Sequence, residues 1–388
     1  MITVAEAWAL VTAGVSPVGT EVLSLSAAAG RVLAGSIFAR VTQPPHDVSV
    51  MDGYALGSDA PGSDAGWSLV GAAPAGHPYD GTLSPGQSIR VFTGSVVPPG
   101  TARVAPQEDV TLSDTHVTVG AGGGRNIRSA GQDFRAGDLL ISDGTVLGAR
   151  AIGLAAAGNH PWLTVRRRPR IAILATGDEI AAPGEPIPPG GIVSSNAHAI
   201  AALVTACGGE PYLLPIASDT VEALAATLST VTADLLVTCG GASVGDFDLV
   251  QRALTSQGFE RAFWQVAMRP GKPLLFGRLG RLPVLGLPGN PVSSYVCAVL
   301  FLQPAISIML GQNATVPAVP RILTAAVAPN DSRQDYLRAT RSGDTVTPMP
   351  RQDSSLLTVL AQAECLIIRP PHAPGLPAGT TVNTIDLP

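Results

Sequence analysis

The chain has 388 residues, more than one ordinary hydrophobic core organises, so roughly two to four domains are expected. Charged residues make up only 14% and the net charge is −5, which argues against a surface for nucleic acid or anionic membrane. Cys207, Cys239, Cys297 and Cys365 are widely spaced and form no CxxC pair, which predicts reduced core thiols in a cytoplasmic protein rather than disulfides or zinc.

Thr3 and Glu6 have capping-box spacing ahead of an amphipathic helix, so the N-terminus reads as folded chain and not as a signal peptide. Residues 1 to about 41 are expected to form short helices, with breaks at Gly30 and Gly35. From about 42 to 132 helical periodicity is missing and Gly and Pro are dense. Runs such as Gln87–Phe92 and Thr115–Val119 predict a small all-β module there. A helical pattern returns at Val146–Ala157. Arg166, Arg167, Arg168 and Arg170 then read as a solvated approach to a strand.

Between about 165 and 315 the rhythm changes. Apolar strands at Ile171–Ala175, Pro211–Ile216, Leu235–Cys239 and Pro283–Leu287 alternate with helical stretches at Ser195–Ala206, Val221–Val231, Leu249–Ser256 and Val292–Met309. This predicts a doubly wound, mostly parallel sheet with helices on both faces. Val292 to Leu310 resembles a membrane span, but Ser293, Ser294, Gln303 and Pro304 interrupt it and a buried helix is expected. After Pro317–Pro320 short strands and turns return, predicting a small C-terminal β domain.

Ligands of open α/β sheets bind beyond the carboxyl ends of the strands. Here those ends run into Thr176-Gly177-Asp178-Glu179, Ser218-Asp219-Thr220, Gly240 to Asp248, and Leu287-Pro288-Gly289-Asn290-Pro291. Carboxylates gathered on one rim favour a shared cation. Glycine amides ahead of a helix suit a phosphate. Together they point to a Mg²⁺-bridged phosphoester site, although Asp219 or Asp246 taken alone is as well explained as a helix cap. Two nucleotide motifs are excluded. Val266 and Pro273 break a P-loop around Lys272, and Gly120 to Arg125 fails GxGxxG and opens no helix.

One of the 24 basic residues is a lysine, Lys272, and the other 23 are arginines. It stands in Met268-Arg269-Pro270-Gly271-Lys272-Pro273, a turn set by proline and glycine. An ammonium is a compact point charge where guanidinium is a planar fork. Lys272 is therefore either an accident of composition or a position that needs the ammonium. Near the N-terminus, Pro44 to Tyr54, Phe92-Thr93-Gly94 and Asn126 to Asp133 form a second polar set, with no internal sign that it meets the α/β rim.

Taken together, MDGYA, FTG, NIRSAGQD, TGDE, CGGASVGD, MRPGKP and GLPGNPVSS closely resemble the molybdopterin molybdenumtransferase (MoeA) family, which is similar to the E domain of gephyrin. The resemblance runs along the whole chain in family order. It implies an elongated homodimer of four-domain subunits. On this chain the domains would be 1–41 with 133–164 as a discontinuous N-terminal domain, 42–132 as an inserted β module, 165–315 as the α/β molybdopterin-binding domain, and 316–388 as the C-terminal β domain. The active cleft would lie between the α/β domain of one subunit and the β module of the other. The implied reaction is Mg²⁺-dependent hydrolysis of adenylylated molybdopterin, with insertion of molybdate into the dithiolene to give molybdenum cofactor and AMP.

Carried over by motif, Asp52, Thr93 and Asp133 match functional positions outside the α/β domain. Glu179, Asp219 and one of Asp246 or Asp248 match its metal carboxylates. Gly240, Gly241, Ser243 and Gly245 form the phosphate loop, and Lys272, Pro288 and Pro291 line the pterin and oxyanion site. Arg269, Arg338 and Ser354 complete the expected binding set. Some relatives carry lysine at the Arg269 position. Implied partners are a molybdopterin adenylyltransferase and apo-molybdoenzymes that accept the cofactor. The alternative is a gephyrin-like scaffold on the same fold, which would call for a further partner-binding segment.

Overall fold

Strands that are apolar on both faces need cover on both sides. Five of six positions of Arg170–Ala175 are buried, and all five of Leu235–Cys239. In the computed structural model, which describes residues 1–58, 66–120, 123–218, 220–240 and 249–388, both lie inside a six-stranded sheet. Its order is Glu210–Leu213, Arg170–Ala175, Leu235–Cys239, Leu282–Leu287, Leu275–Leu279 and Phe259–Trp264. The first four strands run parallel, and the last two are joined to the sheet by antiparallel ladders.

Alternate side chains of these strands serve two cores. Ile171, Ile173, Val237 and Leu285 meet helix Asn196–Ala206 and the helix over 291–309. Ala172, Leu174, Leu236 and Val284 meet Val221–Ser229 and Leu249–Ser256 on the opposite face. Over 291–309, Pro291–Cys297 and Gln303–Met309 flank a π turn at Ala298–Leu302. Pro304 has no N–H to donate and its ring crowds the preceding turn; the wider π turn accommodates it. This helix is long and apolar enough to cross a membrane, yet 78% of its apolar window is packed within the protein.

The capping box at the N-terminus is present. Glu6 N–H donates to Thr3 Oγ1 at 3.2 Å, and Thr3 N–H to Glu6 Oε2 at 2.8 Å. Helix Val4–Ala13 buries Ala7 and Val11 in the larger core of the α/β sheet. Further helices expected before residue 41 are replaced by strands. Thr20–Ser24 pairs antiparallel with Trp162–Arg166, and Ile37–Phe38 with Leu139–Ile141. Their partners lie far along the chain, where local periodicity gives no sign of them.

The β module is a six-stranded sheet in the order Thr101–Pro106, Gly53–Gly57, Gln87–Val91, Trp67–Ala73, His116–Val119 and Val110–Ser113. It has its own core around Ala55, Ile89, Val91 and Val104. At the C-terminus Gln334–Ser342, Thr345–Pro348, Val319–Leu323, Thr381–Asp386 and Cys365–Arg369 close on themselves, because the first also pairs with the last. Met268–Arg269 from the α/β region joins this barrel as an extra parallel strand beside Gln334–Asp335.

Candidate active site

The chain steps from Arg170–Ala175 outward to Glu210–Leu213, then returns past its starting strand to Leu235–Cys239. Connections therefore diverge at the carboxyl ends of Arg170–Ala175 and Leu235–Cys239, the switch point where open α/β sheets form a crevice. A cavity of about 860 Å³ opens there. Ala175, Gly177 and Glu179 approach it from one strand, Cys239 and Gly240 from the next, and Pro288 and Pro291 from the turn after Leu282–Leu287.

Glu179 owes its place to Gly177. That glycine has φ +137°, and a Cβ there would stand 2.6–2.7 Å from the carboxylate atoms of Glu179. Only the missing side chain lets the carboxylate fold back over the strand end. Ile180–Ala181 then pairs with Ile192–Val193, which delivers Ser194, Ser195 and Asn196 to the cavity wall. Asn196 Nδ2 donates to Gly289 O at 2.7 Å, joining the start of one helix to the turn before the other. The N-termini at Asn196 and Pro291 thus both front the cavity, an arrangement favourable to anions.

Lys272 is exposed beside Pro273, which lines the cavity. Its turn is tightly held. Gly271 has φ +110°, and a Cβ would lie 2.5 Å from Cys297 Sγ on the core helix. Val266 N–H donates to Lys272 O at 3.0 Å. Arg269 forms ion pairs with Asp335 and, at 3.5 Å, with Asp331, both in the C-terminal region. Ser354 accepts from Asn290 Nδ2 at 3.0 Å, and its carbonyl accepts from Val292 N–H at 3.1 Å, so it braces the 288–292 turn. Its neighbour Ser355 lines the cavity. Arg338 is 1% exposed, its Nη2 donates to Asp353 O at 3.4 Å, and burial depresses its pKa.

Asp52 and Thr93 are brought together within the β module. Thr93 donates to Asp52 Oδ1 from its N–H at 2.8 Å and its hydroxyl at 2.9 Å, holding the carboxyl below the usual range. Asp133 is exposed, and its N–H donates to Gln43 O at 3.1 Å. Among the described residues, none from 42–132 lines the cavity. Asp219, Gly241, Ser243, Gly245, Asp246 and Asp248 lie outside the described residues. Cys239 reaches the cavity, but burial pushes its thiol up to about 12, so it offers no thiolate nucleophile. Sequence reasoning missed the roles of Gly177, Ser194 and Asn196. The Ser194-Ser195-Asn196 run opening a helix was the available signal for the last two.

A switch-point cavity with a carboxylate and two helix N-termini, and a lysine turn at its edge, defines an α/β enzyme suited to phosphorylated or oxyanionic ligands. Known proteins give that class its family. Three family models match in order: MoeA N-terminal region (domain I and II) over 2–158, probable molybdopterin binding domain over 172–307, and MoeA C-terminal region (domain IV) over 320–387. A molybdopterin molybdenumtransferase of Nostoc sp. is 40% identical over 299 residues, 74% of this chain and 69% of its own. Molybdopterin molybdenumtransferase 2 of Mycobacterium tuberculosis is 32% identical over 380 residues, 94% of each chain. The crystal structure of a molybdopterin biosynthesis MoeA protein from Pyrococcus horikoshii is 26% identical and superposes with a TM-score of 0.88, covering 100% of this chain and 99% of that one. The chain belongs to the molybdopterin molybdenumtransferase (MoeA) family.

Proposed function

We propose that the protein is a molybdopterin molybdenumtransferase that cleaves adenylylated molybdopterin and inserts molybdate into its dithiolene, releasing AMP. The observation that carries this is the convergence of Glu179, Gly240, Pro288 and Pro291 on one cavity. It is supported by family likeness along nearly the whole chain. Glu179 orients water on the phosphoanhydride, and the helix N-termini hold its phosphate oxygens. Lys272 neutralises the oxyanion; a hydrogen bond of this charged kind contributes about 1.5–3 kcal/mol.

Among the described lining residues Glu179 carries a carboxylate, Thr176 and Ser194 carry hydroxyls and the Cys239 thiol stays protonated, oxygen chemistry that suits Mg²⁺, though no three His, Cys, Asp or Glu gather among the described residues. Glu179 would hold the ion, with Asp219 and Asp246 or Asp248 as the further carboxylates; when bound, it would neutralise anhydride charge and acidify a water. We further propose a homodimer. Val22 and Trp162 are exposed on one face of a two-stranded ladder, and Phe38 and Leu139 pair exposed on the next. Phe38 and Trp162 line one groove, so exposed apolar side chains of the two ladders meet there, a surface of the kind a second copy covers.

The test is to supply adenylylated molybdopterin, Mg²⁺ and molybdate, then follow AMP release and activation of an apo-molybdoenzyme. Glu179→Ala is expected to lose AMP release with its fold and dimer intact. Release at the wild-type rate in this variant, or in excess EDTA, would refute the assignment.

A further inference from the structure

We propose that Asp335 of the C-terminal barrel is a positioning residue for Lys272, so that the barrel sets the cation of the oxyanion site. This rests on the assignment of Lys272 given above. Asp335 lies opposite Arg269 in the parallel pairing of Met268–Arg269 with Gln334–Asp335, and Gln334 N–H donates to Ala267 O at 2.9 Å. Both terminal nitrogens of Arg269 point to carboxylates of the C-terminal region, Nη2 to Asp335 and Nη1 to Asp331. The Asp335 side chain is 4% exposed and its Oδ1 is without a hydrogen-bond partner. If Arg269 left, the buried carboxylate would lose its side-chain hydrogen bond and keep only the charge of Arg369, its cross-strand neighbour, which is costlier than losing an exposed pair.

Arg269 is thereby an anchor for the turn. Three residues on, Lys272 has little slack. Pro270 fixes φ, Gly271 is pressed against Cys297, and Lys272 O is held by Val266 N–H. The turn is clamped by the barrel on one side and the core helix on the other, and the Lys272 side chain is exposed. Asp335 is not among the described residues that line the cavity, so its influence passes through Arg269 and the turn.

The single lysine makes this testable without turnover. Reductive ¹³C-methylation preserves its charge and gives a single lysine resonance, told from that of the N-terminal amine by its absence in Lys272→Arg, that reports on the Lys272 ammonium in the full chain. In the wild type, molybdate is expected to move this resonance saturably. In Asp335→Asn the midpoint is expected to rise about tenfold, the scale on which outer-shell partners act, and Asp335→Glu is expected to recover most of the loss. The concentration of molybdate that half-saturates cofactor formation should rise in parallel, with the maximal rate less affected. If Asp335→Asn does not fold, Asp331→Asn loosens the same guanidinium from its solvent side and must shift the midpoint in the same direction by less. Coincident wild-type and variant titrations overturn the positioning role alone. A wild-type resonance indifferent to molybdate and to inorganic phosphate removes the role of Lys272 itself, and the proposal with it.

Discussion

Lys272 sits on a turn whose backbone cannot shift to suit a longer cation, because proline, glycine and a backbone hydrogen bond fix it. Lys272→Arg, the exchange that composition alone would call harmless, is expected to move molybdate saturation to higher concentration. Stability should stay within about 0.5 kcal/mol, as for other exposed substitutions. Lys272→Ala is expected to be worse, leaving the oxyanion less neutralised. Cofactor formation against molybdate concentration decides it, and a Lys272→Arg curve lying on the wild type would make the lone lysine an accident. The turn that carries it was legible in the sequence because proline and glycine bracket the lysine. Gly177 was not, because its need for a bare Cα comes from a carboxylate folding back onto it.

At the scale of elements, Asp234 ties the amino end of the sheet together. Arg167 Nη1 and Nη2 donate to its two oxygens, each at 2.7 Å, and Arg170 N–H donates to it at 2.7 Å. The arginine run therefore does more than approach a strand, since it clamps Arg170–Ala175 to the start of Leu235–Cys239. Partial burial pushes the Asp234 carboxyl up, but the Arg167 and Arg170 donors outweigh it and hold the pKa below 3.8. A carboxyl depressed on folding stabilises above its unfolded pKa, and that contribution fades as pH falls through the folded value. Asp234→Asn is expected to cost about 1–2 kcal/mol at neutral pH, with the charged hydrogen bonds discounted for exposure. The gap to wild type should close on acidification below pH 3.8. Denaturant melts at several pH values measure it, and a gap that widens in acid would contradict this account. Inner strands of the sheet were legible because double-sided burial writes continuous apolar runs. Phe259–Trp264 was not, since Glu260, Arg261 and Ala262 are exposed at the sheet edge and interrupt its apolar pattern.

For the whole molecule, no described residue of 42–132 lines the cavity, so a role for the Asp52–Thr93 pair there calls for a second subunit. A dimer that brings the partner's β module to the cleft makes two inactive variants complementary. Mixed dimers of Asp52→Ala and Glu179→Ala would contain one cleft with both changes and one with neither. Equal mixing is expected to restore roughly a quarter of wild-type activity, from random pairing in a two-fold dimer. No recovery in verified heterodimers would place the whole cleft within one chain. The order of modules was legible in the sequence, because each has its own periodicity. Which faces meet was not, since pairings such as Thr20–Ser24 with Trp162–Arg166 join distant segments that carry no local signal.

Between the N-terminal strands and the β module the chain runs out and back as one two-ply stem. Contacts climb it in sequence, Phe38 with Leu139, Gln43 with Phe134, and Val48 with Arg128. The outgoing and returning strands never part, so to the body below, the whole module is the tip of a single long hairpin. Closing a chain excursion costs free energy that grows only logarithmically with its length. The tip can therefore vary in size with little consequence for the base, while the length and direction of the stem set where Asp52 and Thr93 stand. Reach is set by the stem and the polar display by the tip, and sequence change can tune the two separately.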